Sequence, residues 1–429
     1  MLIDMHMHEM TFSKDSFLKL DEMVRIAKEK GLEPLAELLF SFTLQGADLT
    51  EVASEYINEE KGVLTAEEAL QGASDIIAEI ISDSPEARKV LKDLIAKRGV
   101  ITSTAKTEED SVYSMYYEYS EPVSKIPSHR ILAINRGEKE GFLKVSVDVE
   151  EATSLLLLDK LFIKEGSSST EFCREAAKDS YTRLILPSLE RETRSSLTEK
   201  ADEQAIKMFG SNLKPLLMQP PIKNKTVLAV DPAYRTGCKL AVVDGNSRVL
   251  FTGVIYPTPP QSKIAESEAK VLELIKKYNI DCISIGNGTA SKESEIFIAD
   301  AIKKSPRPVS YMVVNEAGAS VYSASKLGAE EFPDFDVSVR SAVSIARRLQ
   351  DPLSELVKIE PKSIGVGQYQ HDVPPARLEE SLSGVVEDCV NAVGVDLNTA
   401  SVSLLKYIAG VTSATAKNIV QYREENGEF

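Results

Sequence analysis

The stretch at residues 227–244, VLAVDPAYRTGCKLAVVD, limits the fold more than any other part of the chain. Four apolar residues lead to one carboxylate, Asp231. Pro232 then removes an amide donor, and a second apolar run follows Arg235, Thr236 and Gly237. An apolar run with no polar alternation reads as a strand covered on both faces, as in the middle of an α/β sheet. The sequence after it keeps that alternation. Strands are expected at 226–231, 238–244 and 248–255, a helix at about 261–278, then the strand CISIG, a helix from Ser291, the strand VSYMVV and helices to about 357.

The sequence before it reads differently. MLIDMHMH alternates like a strand, and DSFLKLDEMVRIAKEKG puts Phe17, Leu20, Val24 and Ala27 on one helical face, with Gly31 as a stop. Residues 32 to about 98 are helical in pattern, and Thr65 with Glu68 at capping-box spacing marks one helix start. Aromatic residues and prolines interrupt the pattern over 113–151, where GFLKVSVDVE alternates like a strand. Helix then returns up to the Pro-rich MQPPIKNK at 218–225, a candidate boundary. From Asp396 to the last residue the pattern is helical again, with LLKYI and AKNIVQYR joined by AGVTSAT.

Charge separates the same two parts. The net charge is −16. Residues 1–206 hold 25 Lys and Arg against 40 Asp and Glu, while residues 207–429 hold 25 against 26. An acidic protein repels nucleic acid, but the nearly neutral back half has room for a local basic face. Four scattered cysteines with no CxxC pair argue against a disulfide framework or zinc knuckle and fit a reducing cytoplasm. No apolar run approaches the ~18 residues of a membrane span, so no membrane partner is expected.

Five stretches carry chemistry. Asp231, at the tip of a central strand, is where a nuclease would hold a metal ion, but two-metal hydrolysis needs several converging carboxylates. The end of CISIG offers Gly286, Asn287, Gly288 and Thr289 instead of an acid, and the late helix SAVSIARRLQDP offers Arg347 and Arg348, with Asp351 near its end. Asp231 is therefore either a ligand or the cap of the following turn. The turn IGNGTASKESE is either an anion site, with Asn287 and Thr289 facing phosphate or ribose, or an ordinary turn with Ser291 as N-cap. The hairpin at AGVTSAT can offer backbone amides to a phosphate without reading bases, through Gly410, Thr412 and Lys417. In IDMHMH, His6 and His8 share one face of a strand, as metal sites require, though the chain has only four His. SKIPSHRILAINRGEKEG, with His129, Arg130 and Arg136, suits a salt-bridged contact between domains or a phosphate.

Several long stretches together resemble the bacterial Tex family of transcription accessory proteins. They are YSEPVSKIPSHRILAINRGEKEG, LAVDPAYRTGCKLAVVD, IGNGTASKESE, VNEAGASVYSAS, SVRSAVSIARRLQDPLSELVKIEPKSIGVGQYQHDV and VVEDCVNAVGVDLNTAS. The resemblance runs from about Gly31 to the last residue. It implies a multidomain α and α/β protein with a helical scaffold at 32–218, a YqgF-type, RNase H-like domain at 225–357, a connecting segment at 358–395 and a helix-hairpin-helix at 396–429. In the family an S1 domain of OB fold follows; this sequence ends at YREENGEF, halfway through what is there a tandem pair of hairpins. Residues 1–31 resemble the opening of a PHP-type metallophosphoesterase, with Glu9 where Thr is usual, and are expected to dock weakly or fray.

The resemblance implies a cytoplasmic nucleic-acid-binding protein that acts in transcription, with RNA, DNA and the transcription machinery as partners. Arg235, Thr236, Asn287, Thr289, Gly410, Thr412 and Lys417 are the expected contacts. The incomplete carboxylate set points to a domain without catalysis and without a cofactor. The alternative is a metal-dependent, structure-selective nuclease using Asp231 with Asp351, Glu387 or Asp388, which needs a divalent cation. A phosphoesterase acting through His6 and His8 is the third reading.

Overall fold

The computed structural model describes residues 14–398, 400–427 and 429, with side chains from Glu22 onward. His6, His8 and the strand expected at residues 1–8 lie outside the described residues. The chain divides into two compact units, one ending at Asp202 and the other running from Glu203 to Phe429.

The first unit is mostly helical. The helix Ala66–Ser82 lies at its centre, with an apolar face of Ala69, Ala73, Ile76, Ile77 and Ile81. Thr65 Oγ1 accepts from the Glu68 amide, while the Glu68 carboxylate accepts from the Leu64 amide at 2.8 Å, one residue beyond the expected capping box. The helix Lys14–Glu29 packs against this element through Val24 and Ala27, both buried, and Lys28 pairs with Glu79. Its C-terminal half is thus seated in the core, where weak docking was expected. The reason is steric: Gly72 lets Ala27 and Leu32 lie directly on the central helix.

The first unit also holds a three-stranded antiparallel sheet, β2–β1–β3, from β1 (Val100–Ala105), β2 (Glu118–Pro122) and β3 (Leu143–Asp148). Only β3 alternates clearly, burying Leu143, Val145 and Val147. β1 and β2 are rich in Ser, Thr and Glu and carry no such signal. Ser103, inside β1, is buried because its hydroxyl donates to the Tyr116 carbonyl at 2.8 Å. Arg130, on the helix Ser128–Lys139, pairs with Glu121 on β2 at 2.9 Å, an ion pair inside this unit.

The second unit is built on a five-stranded sheet with the order β6–β5–β4–β7–β8. β4 (Val227–Asp231) is central, antiparallel to β5 (Cys238–Val243) and parallel to β7 (Cys282–Gly286). β6 (Val249–Ile255) and β8 (Ser310–Val314) form the edges. Leu228, Val230, Ile283 and Ile285 face the helices Ile264–Tyr278 and Ser291–Ile302, while Val227 and Ala229 face the helix Val337–Gln350. That two-sided cover explains the unbroken apolar run of β4. Three antiparallel strands followed by two parallel ones, with the first strand in the middle, is the RNase H-like arrangement. A separate apolar cluster unites Leu213, Leu353, Leu382, Val386, Leu405 and Ala416, so the C-terminal helices pack within this unit.

Candidate functional site

Asp231 ends β4 because Pro232 cannot donate the next ladder bond. It therefore sits at the end of the sheet where β7 and β8 also finish, half-covered by the helix Val337–Gln350. Burial pushes its carboxyl above the ordinary aspartate range, while a hydrogen bond from Ser341 and the charge of Lys239 pull it back. Lys239 stands opposite Asp231 on β5 and gives its own hydrogen bonds to the Thr236 and Gly237 carbonyls, at 2.7 and 3.0 Å.

A second carboxylate meets Asp231 here, one that was not anticipated from the sequence. Glu316 follows β8, and its side chain lies on the turn after β7, against the Cα atoms of Gly286 and Gly288. A Cβ at either glycine would collide with the Glu316 carboxylate, so glycine at both positions is what admits it. The Gly288 amide donates to this carboxylate, and the Glu316 amide donates to Asn287 Oδ1 at 3.0 Å. Burial, then the charge of Asp231, raise the Glu316 carboxyl above the usual glutamate range; Gly288 and Arg348 act against them. The turn read as a possible phosphate cradle is thus filled by the protein's own carboxylate. Thr289 is exposed beside it, and Ala290, with φ +63°, takes the N-cap position expected for Ser291. The sequence offers only a weak signal for Glu316, an acid two residues after the apolar run of SYMVV, where Asp231 follows VLAV directly.

The late helix supplies a cation. Arg348 is 3 % exposed, and its Nη1 donates to the carbonyls of Asn315 and Ala317, at 2.8 and 2.7 Å, on either side of Glu316. Burial lowers the Arg348 pKa, and the charges of Glu355 and Glu316 counter it. Arg347 points elsewhere, to Glu331 at 3.0 Å, the Ser247 carbonyl at 2.9 Å and the face of Phe332. Asp351 caps the helix Pro352–Leu356, accepting from the Ser354 amide and hydroxyl at 3.1 and 2.8 Å. Glu387 and Asp388 lie on the exposed side of the helix Pro375–Val393, whose other side enters the core. None of these three acids is placed with Asp231.

Two catalytic metal ions need three or four carboxylates. Asp231 and Glu316 provide two, Asn287 is engaged with the Glu316 amide, and a buried guanidinium stands beside Glu316. Among the described residues no group of three or more His, Cys, Asp or Glu converges to hold a metal. The residues present do not fit a two-metal centre.

The hairpin lies in the same unit. Ser401 caps the helix Val402–Leu405, and Thr412 caps the helix Ser413–Asn426 by accepting from the Thr415 amide at 3.1 Å. Asn391, on the preceding helix, fixes the apex: its amide donates to the Tyr407 carbonyl at 2.8 Å and its Oδ1 accepts from the Ala409 amide at 3.2 Å. Gly410 turns the chain at φ +83°, a conformation that side chains resist. Gly410, Thr412 and Lys417 are exposed, with the N-terminal amides of a 14-residue helix behind them. Arg235 and Thr236 are also exposed, in the loop after Asp231. The expected contacts therefore fall on two places, the loops at the Asp231 end of the sheet and the hairpin.

Fold and site together define a class: a multidomain helical and α/β protein with an RNase H-like domain and a helix-hairpin-helix. Family comparison agrees. Residues 45–209 match the Tex central region, residues 225–350 the Tex protein YqgF-like domain, and residues 390–429 the helix-hairpin-helix motif. The chain belongs to the Tex family. It is 55 % identical over 409 residues to the uncharacterized protein YdcI of Bacillus subtilis (strain 168), covering 94 % of this chain and 57 % of that one. It is 43 % identical over 415 residues to the transcriptional accessory protein Tex of Neisseria gonorrhoeae, covering 94 % and 54 %. With the human S1 RNA-binding domain-containing protein 1 it shares 41 % identity over 389 residues, 86 % of this chain and 39 % of that one. The chain spans a little over half the length of the bacterial relatives. Among the described residues no helix is long and apolar enough to cross a membrane.

Proposed function

We propose that this chain binds nucleic acid as an accessory protein of transcription in the bacterial cytoplasm, with its RNase H-like domain serving as a platform and not as a nuclease. The observation that carries this reading is the hairpin. Its apex is held by Asn391, it turns through Gly410, and it presents a capped helix N-terminus with Lys417 exposed beside it. Such a terminus accepts a phosphate through backbone amides, and one lysine adds a charge, so binding is insensitive to sequence. The names of two relatives, a transcriptional accessory protein and an S1 RNA-binding domain protein, support RNA and the transcription machinery as partners, and a hairpin that meets only phosphates suits DNA as well.

The test is retention of labelled single- and double-stranded oligonucleotides by the full chain over a salt series. Binding that weakens with salt and ignores sequence is expected. Gly410→Val should weaken it and cost about 1–2 kcal/mol of stability, because the Cβ meets open space but the side chain resists the positive φ of the turn. Absence of retention even at low salt would refute the proposal.

Glu316 beside Asp231 favours a second reading, a structure-selective nuclease that needs a divalent cation. It predicts cleavage of branched DNA in Mn²⁺ that disappears in Asp231→Asn. Residual cleavage unchanged by that substitution belongs to a contaminant.

A further inference from the structure

The end of the sheet away from Asp231 holds a cleft of about 1020 Å³ where β4, β7 and β8 begin. Parallel strands bring their first residues together, so Lys225 ahead of β4, Asp281 ahead of β7 and Arg307 ahead of β8 converge, with Lys303 beyond the helix Ser291–Ile302. Three cations and one carboxylate line the cleft. Asp281 is already engaged. It accepts from the Thr226 amide at 3.1 Å and from Arg307 Nη2 at 3.2 Å, with Lys225 Nζ at 3.9 Å. Ser305 pins the Arg307 backbone by donating to its carbonyl at 2.8 Å and accepting from its amide at 3.3 Å.

Arg307 is thereby preset, with its guanidinium paired to Asp281 and 33 % of its side chain exposed along the cleft. Lys225 and Lys303 reach solvent at 52 % and 73 % exposure, the latter sharing its charge with Asp300 at 2.8 Å. The rest of the wall includes Pro306, Pro308 and the ring of Tyr311. Cations beside proline and tyrosine rings suit a ligand that joins a phosphate to an aromatic base.

We propose that this cleft binds a nucleotide, its phosphate held by Arg307 and Lys225 and its base against Tyr311 and the adjoining prolines. The same chemistry is offered by a free nucleotide and by one unit of a strand. The strand source rests on the nucleic-acid reading above; the free source does not.

The experiment is calorimetric titration of the full chain with adenosine monophosphate, adenosine and inorganic phosphate. Adenosine monophosphate should bind at least tenfold more tightly than either part. Lys225→Gln, a substitution at an exposed side chain, and Arg307→Gln should each weaken it at least fivefold, with the Lys225→Gln melting temperature unchanged. Competition by a single-stranded oligonucleotide assigns the site to a strand, and lack of competition assigns it to a free nucleotide. No binding of adenosine monophosphate at millimolar concentration overturns the proposal, as does binding untouched by both substitutions. In those cases strand retention through the hairpin would leave the nucleic-acid reading standing. Loss of strand retention with nucleotide binding intact would count against that reading alone.

Discussion

Asp231 and Glu316 are two carboxyls pushed toward their protonated forms by burial, and the charge of Asp231 makes that of Glu316 costlier still. A carboxyl whose folded pKa is raised stabilises the fold below its unfolded pKa, and that contribution is lost as pH rises through the folded value. At neutral pH the Asp231 charge is therefore a burden on the native state. Asp231→Asn should raise the melting temperature near pH 7, and the gain should shrink as pH falls toward the ordinary aspartate value of 3.8. Thermal melts across that range measure it, and a lower melting temperature at pH 7 would contradict the electrostatic account.

Arg348 has the opposite role. It is the buried cation beside Glu316 and Glu355, and it ties down the backbone around Glu316. Arg348→Met removes the counter-charge and leaves the carboxylates buried. The expected loss is roughly 1–3 kcal/mol of stability by denaturant titration, the cost of leaving a buried hydrogen-bond acceptor unsatisfied at the Asn315 and Ala317 carbonyls. A loss within the range of a surface substitution would mean that Glu316 does not depend on it.

Among the elements, the hairpin yields the clearest prediction. Thr412→Ala removes the cap of the helix Ser413–Asn426 and should cost about 1 kcal/mol of stability. Lys417→Gln leaves the fold alone and, if Lys417 meets one phosphate, should reduce the slope of log affinity against log salt by about 0.7–0.9. The elements also differ in how readable they were. β4, β5 and β7 were legible because helices cover both faces and force near-continuous apolar runs. β1 and β2 were not, because their burial rests on contacts such as Ser103 to Tyr116, which leave no hydrophobic period. The sequence named Asp231 but passed over Glu316, since a carboxylate packed on two glycines is a tertiary arrangement that neither segment announces alone.

At the scale of the whole chain, charge is the organising quantity. Most of the −16 resides in residues 1–206, where acidic surface repels phosphate, while the second half is close to neutral and carries the hairpin, the exposed Arg235 and the basic cleft. The proposed nucleic-acid contact accordingly lies in the second half. The central claim is binding without cleavage, and one measurement meets it directly. The full chain is incubated with an end-labelled branched DNA at low salt in Mn²⁺, and retention and strand length are read on parallel gels. The account predicts a retained, intact substrate for the native chain and for Asp231→Asn alike. Cleavage by the native chain that Asp231→Asn abolishes would contradict it, and so would a substrate that is never retained.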